Sequence, residues 1–66
     1  MLEKRSFSLS GHRTSIALEA EFWAALETIA QAQTRSLAAV IGSIDSTRTP
    51  EQPLASALRV YALGKK

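Results

Sequence analysis

Between Gly11 and Asp45 the hydrophobic period of the chain changes twice. Thr14, Ile16 and Leu18 alternate with Arg13, Ser15 and Ala17, the two-residue period of a strand with one buried face. From Glu19 onward, Phe22, Ala25, Leu26, Ile29 and Ala30 fall at three- and four-residue steps, which is the period of a helix with one apolar stripe. Leu37, Val40, Ile41 and Ile44 repeat that helical pattern after Ser36. The fold class expected is therefore mainly α with one short strand. A lone strand leaves its hydrogen-bonding ladder unpaired, so one strand and two short helices do not make a stable unit. The strand needs a partner, and the simplest partner is the same strand from a second copy.

The bulk numbers point the same way. A chain of 66 residues is one small domain, burying only about 60% of its unfolded surface. It has no cysteine, so neither a disulfide nor a thiolate metal site can brace it. His12 alone cannot make a zinc site. No metal and no cofactor is expected, which leaves oligomerisation as the source of extra core. No apolar run approaches the roughly 20 residues of a membrane span, and the N-terminus lacks the apolar region of a signal peptide. The expectation is a cytoplasmic protein with no membrane contact.

Net charge is +2, unevenly spread. Residues 1–13 carry Lys4, Arg5 and Arg13 against Glu3, with His12 beside them. Residues 14–64 hold Arg35, Arg48 and Arg59 against Glu19, Glu21, Glu27, Asp45 and Glu51. Positive charge gathers on the N-terminal segment and the strand while the first helix is acidic, a polarity suited to a polyanion on the strand side.

Three segments follow: an N-terminal arm over 1–11, a strand–helix–helix core over 12–46, and a loop with a C-terminal helix over 47–66. In the arm, Phe7 and Leu9 alternate with Ser6, Ser8 and Ser10, so a few residues of strand are expected. Their parity is odd while that of Thr14, Ile16 and Leu18 is even. One continuous strand cannot keep both sets on one face, so a bulge or turn is expected near Gly11. The first helix should run from about Ala20 to Gln33, without a strong N-cap. Ser36 is a good N-cap for the second, which should reach Ile44 or Ser46. Pro53 suits the first turn of a third, where Leu54, Ala57, Leu58 and Tyr61 make an apolar stripe before Gly64.

The segments GHRTSIALEAEFWAALETIA, RSLAAVIGSID and LASALRVYAL, in that order, resemble the ribbon-helix-helix fold of MetJ/Arc-type repressors. More narrowly they resemble small bacterial ribbon-helix-helix proteins with a G-H-R-T-S strand, an F-W helix start and a terminal S-A-L-R-V helix. The chain departs from that pattern at Thr34-Arg35, where the family usually has Gly-Leu. The resemblance implies an intertwined homodimer, with higher oligomers open, whose two-stranded antiparallel ribbon enters the major groove of double-stranded DNA. It implies a dimer core of Thr14, Ile16, Leu18, Phe22, Leu26, Ile29, Val40, Ile41 and Ile44. Arg13, Ser15 and Ala17 would face the bases. Ser36 and Leu37, with Arg35 beside them, would anchor a phosphate on first-turn amides, and Lys4, Arg5 and His12 would clamp the backbone further out.

Trp23 follows Phe22 directly and so points about 100° away around the helix. It either covers the core edge or marks a second interface, and Tyr61 shares that ambiguity. Catalysis is not expected: His12 has no companion nucleophile, and Glu19, Glu21 and Glu27 read as a solvated helix face. The function expected is a small DNA-binding transcriptional regulator. The alternatives are a protein-interaction adaptor on the same dimer fold and the antitoxin of a toxin–antitoxin pair.

Overall fold

A computed structural model describes residues 1–64. Two strands are followed by three helices: β1 (Leu2–Leu9), β2 (His12–Glu19), α1 (Ala20–Ala32), α2 (Leu37–Thr47) and α3 (Leu54–Gly64). The helices lie where their apolar periods place them. The strand count does not match the expectation of one: the N-terminal segment is a full strand of 8 residues. It pairs antiparallel with β2, from Leu2 opposite Glu19 to Leu9 opposite His12. The partner of the ribbon strand is thus in the same chain, and a second copy is not needed to satisfy that edge.

The turn between the strands explains the parity change. Ser10 and Gly11 both have positive φ, 51° and 81°, as both central residues of a two-residue type I′ hairpin turn must. A two-residue connection puts odd positions of β1 opposite even positions of β2. Phe7 therefore shares a face with Thr14, and Arg5 with Ile16. The opposite face carries Lys4, Ser6 and Ser8 across from Ala17, Ser15 and Arg13.

The inner face of the hairpin packs on the helices. The core comprises Leu9, Ile16 and Leu18 from the hairpin, Trp23, Leu26 and Ala30 from α1, Val40, Ile41 and Ile44 from α2, and Ala57 and Leu58 from α3. Of the two adjacent aromatics in α1, the outcome reverses the expected order. Trp23 is only 1% exposed, whereas Phe22 is half-buried beneath the Arg59 guanidinium, 5.8 Å from its ring centroid. Strand β1 is the cause: the Glu3 carbonyl accepts the indole Nε1–H at 2.8 Å, and the Phe7 ring lies 5.8 Å from the Trp23 ring. Trp23 consequently offers no surface to a second interface. Thr14 and Ile29 are also half-buried rather than buried.

Helix α1 ends in a Schellman motif. The Arg35 amide bonds the Ala30 carbonyl at 2.9 Å and the Thr34 amide bonds the Gln31 carbonyl at 3.1 Å, satisfying carbonyls the helix end would leave open. The motif needs a left-handed residue, and Thr34 supplies it at φ 51°. Threonine is poorly suited to that region because its β-branch crowds the backbone. Thr34→Gly should therefore stabilise the fold by roughly 1 kcal/mol and raise Tm by about 5 °C, as read by thermal circular dichroism. An unchanged or lower Tm would mean Thr34 is not strained.

Candidate nucleic-acid interface

The described helices leave the outer face of the hairpin open. Lys4, Ser6 and Ser8 on β1 and Arg13 and Ser15 on β2 are exposed there, and Ala17 is half-buried. Alternation along each strand brings them to this face, and the register sets them in cross-strand pairs. Ser6 and Ser15 are hydrogen-bonded hydroxyl to hydroxyl at 3.1 Å. Arg13 donates Nη1–H to the Ser8 hydroxyl at 3.3 Å. The face is thus a strip of small hydroxyls between two cations, Lys4 and Arg13, with Glu19 at the end far from the turn.

Arg13, Ser15 and Ala17 do lie together, as their alternation requires. What the sequence did not reveal is that Lys4, Ser6 and Ser8 stand directly opposite them. Arg5, one residue from Lys4, points the other way. Its guanidinium donates to Glu27 at 2.7 Å and Glu3 at 3.2 Å and lies 4.8 Å from the Trp23 ring centroid. The bond to Glu27, opposed by desolvation and aided by Glu3, raises the Arg5 pKa above its ordinary value. Arg5, expected to clamp the DNA backbone further out, is engaged on the inner side by Glu27 and Glu3. His12 is exposed beside the turn, across from Leu9.

At the start of α2, Ser36 is the N-cap, its hydroxyl accepting from the Ala39 amide at 3.0 Å. Arg35 folds back over this turn. It donates to the Ala39 carbonyl at 3.0 Å, to the Ser43 hydroxyl and to the Gln33 side chain at 3.2 Å. Arg35 thus covers the turn. Leu37 is half-buried at the first helical position. Elsewhere, Arg59 of α3 bonds Glu19 at the β2–α1 junction at 3.0 Å. Glu19's own backbone amide, and then Arg59, hold its carboxyl below the usual carboxylate range. A groove between α2 and α3 is lined by Val40, Ile44, Ala57, Val60 and Tyr61, with Arg35 and Arg48 among the polar groups beside them. Tyr61 is half-buried, and its hydroxyl accepts from the Gln33 amide at 3.1 Å.

Among the described residues, no group of three His, Cys, Asp or Glu side chains could hold a metal ion, and no helix is long and apolar enough to cross a membrane. Comparison with curated proteins and with solved structures finds no match. A family model described as the ribbon-helix-helix domain matches residues 2–65. With nearly the whole length matched, and a two-stranded antiparallel ribbon leading into helices, this chain belongs to the ribbon-helix-helix domain family.

Proposed function

We propose that the chain is a homodimeric DNA-binding regulator that reads the major groove with the outer face of its hairpin. Ribbon-helix-helix domains are in general DNA-binding transcription regulators or antitoxins, which act as dimers. The observation that carries the reading for this chain is the open strip itself: Lys4, Arg13 and three serines on a face that none of the described helices covers. A two-stranded ribbon fits a groove about 12 Å wide, and hydroxyls and guanidinium are groups that bond base edges there. Arg13 is the reader in this account, able to take guanine O6 and N7 together. Ser15 bonds base edges with little selectivity, and Ala17 offers a methyl contact. Lys4 serves the phosphates, and the start of α2 at Ser36 and Leu37 anchors another through its first-turn amides.

Arg13→Ala should flatten the difference between preferred and random duplexes, since a bidentate arginine–guanine contact is worth roughly 1–3 kcal/mol of discrimination. Ser36→Ala should weaken binding to both about equally, while costing about 1 kcal/mol of stability through the lost cap. The check is a binding titration against duplexes selected from a randomised pool and against random DNA, at two salt concentrations. An unchanged specificity ratio in a folded Arg13→Ala protein would contradict the assignment of Arg13 as reader.

The dimer is supported by what folding leaves at the surface. Phe22, Ile29 and Leu37 stay half-buried, and Val60 and Leu63 are 60% and 73% exposed. In so small a chain a second copy is the economical cover for them. Sedimentation should show a dimer at micromolar concentration; a folded monomer would contradict this. The second reading, an adaptor that binds a protein, is favoured by the exposed Val60 and Leu63 on α3 and no longer by Trp23. Failure of the wild-type protein to bind DNA at low salt would put it first.

A further inference from the structure

We propose that Ser8 is a positioning residue for Arg13, so that sequence discrimination resides in a cross-strand pair within one chain. The proposal rests on the outer hairpin face binding DNA. In an antiparallel ladder closed by a two-residue turn, the pair flanking the turn exchanges backbone hydrogen bonds and the next pair does not. Leu9 and His12 are that flanking pair, and Ser8 and Arg13 are the next. Side chains approach closest at such a non-hydrogen-bonded position, which is why a short serine reaches a long arginine. The bond runs from Arg13 Nη1 to Ser8 Oγ at 3.3 Å.

Its chemistry suits a reader. An exposed arginine has many rotamers, and fixing it before contact reduces the ordering cost of binding. A carboxylate would fix it too, but would cancel the charge that draws it to DNA. A neutral hydroxyl holds the guanidinium and leaves its charge intact. The fork carries five N–H donors, so one bond to Ser8 leaves the Nε and Nη2 edge for guanine O6 and N7. The acids around the hairpin are committed elsewhere: Glu3 and Glu27 bond Arg5 on the inner side, and Glu19, at the far end of the outer face, bonds Arg59. Strand β1 thereby acts in specificity without touching a base at Ser8.

The test selects preferred duplexes from a randomised pool with wild-type protein. It then measures affinity for a preferred and a random duplex in wild type, Ser8→Ala, Ser8→Thr and Arg13→Ala. Ser8→Ala should lower the specificity ratio roughly fivefold, the scale of one lost hydrogen bond. The salt dependence should stay as in wild type, because no phosphate contact is lost. Ser8→Thr, which keeps the hydroxyl, should restore the ratio. An unchanged ratio in Ser8→Ala, or a fall that Ser8→Thr does not restore, overturns the proposal. If wild-type protein binds DNA in a salt-dependent way but enriches no sequence, this inference fails while the DNA-binding reading stands. If it binds no DNA at low salt, both fail.

Discussion

Trp23→Ala should destabilise the fold by about 3–5 kcal/mol. A domain of this size is stable by only about 3–10 kcal/mol, so much of the variant should be unfolded at room temperature. The size of the effect follows from three things lost together. Trp23 is 1% exposed, its indole N–H holds the Glu3 carbonyl at 2.8 Å, and its ring face carries the Arg5 guanidinium at 4.8 Å. All three tie β1 to α1. The ion pairs of Arg5 cannot compensate, since partly exposed pairs contribute at most about 1 kcal/mol. Trp23→Phe should keep most of the apolar contact and cost about 1–3 kcal/mol, from the orphaned carbonyl and the smaller ring. Urea unfolding followed by circular dichroism checks both. A Trp23→Ala protein within about 1 kcal/mol of wild type would mean that β1 is not docked on α1.

Leu58→Ala should cost about 2–5 kcal/mol, because Leu58 is fully buried. Leu58 and Ala57 are the buried residues of α3, and beyond them Arg59 reaches Glu19 at the strand–helix junction. The third helix is therefore part of the core and not an appendage. Gln31→Ala is the internal control: exposed on α1, it should change stability by no more than about 0.5 kcal/mol. Thermal unfolding of the two variants distinguishes the cases. Equal, small effects would place α3 outside the cooperative unit.

Much of this architecture was legible because it is local. The three helices follow from the spacing of Leu26 and Ala30, of Val40, Ile41 and Ile44, and of Ala57 and Leu58. Ser36 marks the start of α2 by a hydroxyl that caps within its own turn. The parity change between Leu9 and Thr14 required a break at Gly11, and the break is there. What parity could not decide was whether the chain bulges onward or turns back. Only the turn makes residues 2–9 the partner of 12–19, and the serines that alternate with Phe7 and Leu9 gave β1 the look of a solvated arm.

Everything that depended on that pairing was hidden with it. Phe22 and Trp23 are neighbours on one helix, and which of them is buried is decided by β1, far away in sequence. Lys4 and Arg5 are adjacent cations with opposite fates, one on the open face and one held by Glu27 behind it. At the site, alternation alone grouped Arg13, Ser15 and Ala17, but Ser6 and Ser8 joined them only through the register of the hairpin. The Schellman turn at Thr34 was obscured for another reason: the glycine that usually announces it is absent, and the left-handed position is filled at a cost in strain.

The central claim is that DNA meets the outer face of the hairpin. It is tested most directly by following the backbone amide resonances of the labelled protein while a selected duplex is added at low salt. Shifts should concentrate at Lys4, Ser6, Ser8, Arg13, Ser15 and Ala17, with a second, smaller set at Ser36 and Leu37. No shifts, or shifts confined to the groove between α2 and α3 around Val60 and Tyr61, would contradict it.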